Sequence, residues 1–190
     1  MENYEPVILE SYEANRLTMA ILAVMEDGQL HSSVYEAEKK MLVKMKPMEI
    51  VERSCRYFGS SYIGRKAGTK DLLGITHKPP IVVDAANSIY LFPTTSSSRP
   101  QCSWISHYYI RQYETASQDN TLVTFTDGTE LTLPISVHSF ENQMYRTAQL
   151  RTVISSRIED GPRKMGAFMF QRDSSSQALQ EQLIRELNRY

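Results

Sequence analysis

The first clear hydrophobic pattern is a pair of hairpins. Leu17 to Val24 is apolar and gives way to Asp27-Gly28, a dipeptide suited to the positive φ angles of a tight turn, so Gln29 to Tyr35 is expected to return as its partner strand. The same signal recurs later: Thr121-Leu122-Val123-Thr124-Phe125 alternates, Asp127-Gly128 turns, and Glu130-Leu131-Thr132-Leu133 returns before Pro134. Strand-like runs also occupy Ile81-Val82-Val83, Ile89-Tyr90-Leu91-Phe92 and Trp104 to Ile110.

Helical periodicity falls between and after these runs. Pro47 suits a first helical position, and Met48, Val51, Cys55 and Phe58 recur at helical spacing until Gly59 ends the element. Ser60 or Ser61 can cap a second helix reaching Leu73, weakened by Gly64 and Gly68. Residues 138–158 predict a longer helix, with Phe140, Met144, Ala148 and Ile154 among its apolar positions. Asp160 to Ser176 is polar and turn-rich, and a short amphipathic helix follows in which Leu179, Leu183, Leu187 and Tyr190 share a face. The expected fold class is α+β: a largely antiparallel sheet, a few helices and a C-terminal amphipathic helix. Residues 1–158 are expected as one domain and 159–190 as a linker and helix serving regulation or self-association.

Composition narrows the class without changing that picture. A chain of 190 residues with 41% hydrophobic and 23% charged residues can bury an ordinary globular core. The start, Met1-Glu2-Asn3-Tyr4-Glu5, lacks the basic and apolar regions of a signal peptide, and no apolar run is long enough to span a bilayer. Cys55 and Cys102 are expected as reduced, partly buried thiols. The expectation is a cytoplasmic protein with no membrane partner.

Charge adds more, because the net of −1 conceals a partition. Residues 1–38 carry eight acidic residues and one basic residue, whereas residues 39–79 carry ten basic residues and three acidic ones. A polyanion needs local positive potential, not a positive protein. Charge alone leaves two readings open: a phosphate-binding face, or an acidic first segment packed against a basic second one.

Enzyme chemistry finds little to build on. Gly59-Ser60-Ser61-Tyr62-Ile63-Gly64-Arg65-Lys66 has the glycine spacing of a P-loop, but that loop needs Lys and then Ser or Thr directly after the second glycine. His31, His77, His107, His138 and the two cysteines form no close pairs of zinc-site spacing. No Gly-x-Ser-x-Gly elbow is present, and an enzyme built from scattered residues would need a buried polar pocket around His107 or His138. No catalytic residue, metal or cofactor is therefore expected.

The basic segment is the stronger lead. Arg53 and Arg56 stand three apart on the first helix, off its apolar stripe, and are expected to face solvent. Arg65, Lys66 and Lys70 follow among the small residues Gly64, Ala67, Gly68 and Thr69, and Lys78 precedes Pro79-Pro80. Beyond them, Thr94-Thr95-Ser96-Ser97-Ser98-Arg99-Pro100 is a hydroxyl-rich loop with one arginine, a composition that can hold phosphates and enter a narrow groove. An acidic protein partner fits the same face.

Longer motifs add a resemblance. Lys46-Pro47, Arg53-Ser54-Cys55-Arg56-Tyr57-Phe58-Gly59-Ser60-Ser61-Tyr62, Gly64-Arg65-Lys66-Ala67-Gly68-Thr69 and His77-Lys78-Pro79-Pro80-Ile81 resemble the competence transcription factor (ComK) family. So do Leu91-Phe92-Pro93-Thr94, Arg99-Pro100-Gln101-Cys102 with Trp104-Ile105-Ser106-His107, and Ser139-Phe140-Glu141-Asn142-Gln143 with Tyr145-Arg146-Thr147-Ala148. The resemblance implies a nucleoid-associated activator of DNA-uptake genes, working with the transcription machinery. It would recognise paired A/T-rich boxes in double-stranded DNA through the minor groove, as a dimer or tetramer. Under that implication Arg53, Arg56, Arg65, Lys66, Lys70, Lys78 and Arg99 are the DNA-contact candidates, and Leu179, Leu183, Leu187 and Tyr190 the self-association candidates. The resemblance further implies a protease adaptor; the positions matching its docking segment begin with Phe168, Met169 and Phe170. The competing reading is a protein-binding regulator whose basic face meets acidic partners without direct DNA contact.

Overall fold

The computed structural model describes residues 7–37 and 39–159. Asp27 and Gly28 both adopt positive φ, +47° and +73°, so the first turn is of the mirror-image type that matches strand twist. It joins Thr18–Glu26 (β2) to Gln29–Glu36 (β3). Lys39–Val43 (β4) continues the meander, and Val7–Leu9 (β1) lies parallel along its outer edge. Two helices follow, Pro47–Tyr57 (α1) and Tyr62–Leu73 (α2). Ile81–Asp84 (β5), Ile89–Pro93 (β6) and Trp104–Ser106 (β7) then complete a seven-stranded sheet of order β1-β4-β3-β2-β7-β6-β5. Ile110–Thr115 (β8), Thr121–Phe125 (β9) and Glu130–Leu133 (β10) form a separate antiparallel sheet, and a helix over residues 137–159 (α3) ends the described chain.

Period-two alternation sends successive side chains of the large sheet to two cores. Ile89, Leu91 and Trp104 point to a cluster with Ile50, Val51 and Cys55 of α1. Phe92 and Ile105 point the other way, to Val123, Phe125, Leu133 and the Phe140 ring of α3. The large sheet is thus sandwiched between α1 and α2 on one face and the small sheet with α3 on the other. Strand β6 is buried along its whole length, which explains its continuous apolar run.

Three features depart from the expected elements. The run from Trp104 to Ile110 is not one strand: it breaks at His107–Tyr109, so that β7 joins the large sheet and β8 the small one. Strand β4 begins with two lysines and carries only Met41 and Val43 fully inward, a pattern too short to announce itself. The three-residue β1 makes the one parallel pairing among the described strands. The chain divides into two compact units, Met1–Thr152 and Val153–Tyr190, of which the first contains both sheets, α1, α2 and the start of α3. Among the described residues no helix is long and apolar enough to cross a membrane.

Candidate nucleic-acid interface

Helices α1 and α2 follow one another in the chain, joined by Phe58–Ser61. Pro47 opens α1, and the Glu49 carboxylate accepts a hydrogen bond from the Lys46 amide at 2.9 Å, satisfying a free donor at the helix start. Pro47, Ile50, Val51, Ser54 and Cys55 are the buried face. Gly59, at φ +68°, turns the chain out of α1, where a side chain would be strained. Ser61 is the cap of α2: its Oγ accepts from the Gly64 amide at 3.0 Å.

Helix α2 is anchored by its inner side. Thr69 Oγ1 donates to the Pro80 carbonyl at 2.8 Å, and Arg65 Nη2 donates to the Val83 carbonyl at 3.1 Å. The Tyr62 ring meets Trp104 edge-on at 5.9 Å. Burial raises the Tyr62 phenol above its ordinary value, and the side chain of Ser97, in the hydroxyl-rich loop, pulls the other way.

These anchors sort the predicted contact residues. Lys66 and Lys70 are exposed on α2, Arg56 is exposed at the end of α1, and Lys78 and Arg99 are exposed on their loops. None of these five has a carboxylate partner among the described residues. Arg53 is partly exposed but engaged, its Nε donating to Glu13 at 2.6 Å. Arg65 is half-buried, and its Nη2 bond to Val83 ties α2 to β5. The acidic first segment thus neutralises Lys44, through Glu10 at 2.7 Å, and Arg53. It leaves the lysines of α2 uncompensated. Phe168, Met169, Phe170, Leu179, Leu183, Leu187 and Tyr190 lie outside the described residues.

The two loops are placed by α3. Gln143 is buried, and its Nε2 donates to both the Lys78 carbonyl at 3.1 Å and the Pro93 carbonyl at 2.7 Å. Arg146 Nη1 donates to the His77 carbonyl at 3.1 Å. Lys78 itself sits at φ +46°, a conformation that L residues rarely adopt without such support. The Arg99 loop is closed by Thr94, whose amide donates to the Ser103 carbonyl at 2.9 Å, and by the Cys102 amide donating to Arg99 at 3.0 Å. Bonds from α3 thus fix the Lys78 and Pro93 segments, and Thr69 fixes α2 to Pro80.

Comparison with known proteins follows this geometry. The model of the ComK protein family matches residues 9–159, which include the helix pair and both loops. The chain belongs to the ComK protein family. It is 48% identical over 180 residues to the competence transcription factor of Bacillus subtilis (strain 168), covering 94% of each chain. No solved structure matches it. The relative's name is that of a transcription factor, not of an enzyme. Phe168, Met169 and Phe170 lie beyond the stretch matched by the family model.

Among the described residues no cluster of three or more His, Cys, Asp or Glu could hold a metal ion. A cavity of about 260 Å³ is lined by Arg16, Ala86, Asn87, Ser88, Tyr108 and Tyr109, and includes neither His107 nor His138. Burial, with Arg151 nearby, lowers His107 below its ordinary value. His138 is exposed and bonded to Asn142 at 3.1 Å.

Gln143, Arg146 and Thr69 are the residues that sequence reasoning passed over as placers of the face. For Gln143 and Thr69 the signal is a polar side chain on a buried position, visible in sequence only once the helical face is known. Gln143→Leu removes the donor shared by two carbonyls and is expected to cost roughly 1–3 kcal/mol, the penalty for leaving buried acceptors unmet. Thermal unfolding measures the cost, and faster amide exchange at His77, Lys78, Thr94 and Thr95 marks the loosened loops. Unchanged exchange there would show that Gln143 does not hold them.

The thiol under α1 predicts a pH dependence. Burial pushes the Cys55 thiol from 9.0 up to about 11, and Arg65 is the main opposing charge. A group held protonated in the fold contributes stability below its unfolded value, which is lost as pH rises through the folded one. Urea unfolding is therefore expected to show stability falling between about pH 9 and about pH 11. Cys55→Ala should flatten part of that fall, leaving the share of buried phenols such as Tyr12 and Tyr62, which burial also raises.

Proposed function

We propose that this protein is a transcription regulator of competence that binds A/T-rich duplex DNA directly. The observation that carries the reading is the outer side of the helix pair, where Arg56, Lys66 and Lys70 are exposed with no carboxylate partner among the described residues. The kinship with a competence transcription factor supports the same partner. An A/T tract has a narrow, strongly negative minor groove that suits inserted basic side chains. The hydroxyl-rich loop of Ser96, Ser98 and Arg99 supplies phosphate donors beside it. Lys78 completes the set.

Anisotropy titration of the full chain with a duplex carrying paired A/T-rich boxes tests this. Affinity should fall steeply with salt, and netropsin, a minor-groove ligand, should compete. A weak salt response, or indifference to netropsin, overturns minor-groove reading. Tight binding to acidic proteins without duplex binding would favour the protein-partner alternative.

Paired boxes call for paired protomers, because protein symmetry mirrors site symmetry. We assign residues 1–158 to DNA binding, and residues 159–190 to self-association through Leu179, Leu183, Leu187 and Tyr190 and to adaptor docking at Phe168, Met169 and Phe170. Sedimentation of a chain ending at Asp173 should show reduced self-association; an unchanged profile removes the C-terminal helix from the interface.

A further inference from the structure

The most exposed large apolar side chain among the described residues is Ile63, at 78%. It stands in the first turn of α2, where the fold makes no use of it: Tyr62, Arg65 and Thr69 are the residues turned inward. At 100° per residue, Ile63 and Ala67 share the outermost line of the helix, and Lys66 and Lys70 flank it on one side. On the other side lies Asp71, exposed and roughly 80° round from Ile63, followed by Gly64 and Gly68. Small neighbours leave the isoleucine projecting above a low surface.

A glycine inside a helix is unfavourable relative to alanine, and Gly68 keeps this part of α2 low. A Cβ added at Gly68 would meet nothing within 4 Å in the chain itself. At the other end of the turn, Tyr57 is 71% exposed, with its ring braced edge-on by Phe58 at 5.0 Å. Other exposed apolar side chains have different company. Met25 precedes Glu26 and Asp27, and the Tyr145 hydroxyl bonds to Glu141. Ile63 has two unpaired lysines.

We infer that Ile63 is an apolar wedge that enters between two base pairs of the duplex while Lys66 and Lys70 hold the flanking phosphates. Minor-groove proteins unstack a step with such side chains and kink the duplex by roughly 20–90°. A branched side chain suits the task, because in a helix isoleucine keeps essentially one χ1 rotamer and loses little freedom on insertion. The target is a flexible pyrimidine–purine step, TpA within an A/T-rich box, because unstacking is easiest there. Ile63 is thereby a specificity-determining residue that makes no hydrogen bond to a base. The inference rests on the duplex-binding reading above.

The test uses the full chain, Ile63→Ala, Ile63→Leu, and a duplex with two A/T-rich boxes carrying 2-aminopurine beside a TpA step. Unmodified protein should raise the 2-aminopurine fluorescence and shorten the end-to-end distance measured by energy transfer. Ile63→Ala should lose both signals and bind roughly tenfold more weakly, from the lost burial of one side chain, at an unchanged salt slope. Ile63→Leu should restore most of both. An Ile63→Ala chain that still bends and unstacks the duplex overturns the wedge, while salt-dependent, netropsin-sensitive binding keeps the DNA reading. If unmodified protein does not bind the duplex, both fall. A change in the sedimentation of free protein on Ile63→Ala assigns the side chain to a second copy and overturns the wedge.

Discussion

A chain carrying Lys66→Ala and Lys70→Ala together is expected to bind A/T-rich duplex with a salt slope shallower by about 2, one counterion's share for each lost phosphate contact. The affinity loss should be similar for all sequences, since phosphates carry no base identity. The reason is local. Both lysines are exposed, four residues apart on one side of α2, and no carboxylate among the described residues draws them away. Stability should hardly move, as substitutions on an exposed face usually stay within about 0.5 kcal/mol. Arg53→Ala should do much less, because the guanidinium is already paired with Glu13 at 2.6 Å. Glu13→Ala should release Arg53 and tighten binding at low salt. Anisotropy titrations across about 50–200 mM salt compare the slopes; an unchanged slope in the double variant removes α2 from the phosphate contacts.

The largest stability effect is expected from Trp104→Ala, at roughly 3–5 kcal/mol, the cost of emptying a large buried site. Trp104 is fully buried, sits among Ile50, Val51 and Cys55 of α1, and carries the Tyr62 ring that begins α2. The cavity would lie directly beneath the helix pair, so duplex binding should weaken even in the fraction that stays folded. Trp104→Phe is the informative control. The indole N–H is buried with no acceptor, so removing it sacrifices no hydrogen bond. The ring contact with Tyr62 survives, and the expected cost is below about 2 kcal/mol. Urea unfolding of both variants separates volume from polarity: equal losses would show that ring size alone matters little at this site.

Several elements could be read from the chain because their causes are local. The Asp27-Gly28 turn needs positive φ at both residues, and it has it. The apolar stripe of α1 has a helical period and lies inward, with Ile50 added to the residues singled out. Gly64 and Gly68 signalled a weak α2, yet it runs intact from Tyr62 to Leu73 because Arg65 and Thr69 tie it to the β5 side. The long helix begins one residue before its expected start and runs at least one residue past its expected end. Strand β1 and strand β4 were not legible. The first is three residues long and the second opens with lysines, so neither shows enough alternation to register. Nor was the break at His107–Tyr109, which exists because β7 and β8 belong to different sheets.

The site divides along the same line. The sequence by itself determined which segments are basic, where two helices start and stop, and that the chain resembles a competence regulator, since residue type and short-range periodicity carry all three. Only the tertiary structure decided which cations are paired within the fold. Glu13 lies forty residues before Arg53 and meets it only through the fold. Arg65 is committed to a carbonyl eighteen residues away. Gln143 sets the Lys78 and Pro93 segments from sixty-five and fifty residues down the chain. Pairing and burial are properties of surroundings, and those surroundings are assembled from distant segments. The face left over, with Lys66 and Lys70 beside a projecting Ile63, is what the fold leaves free to meet a partner.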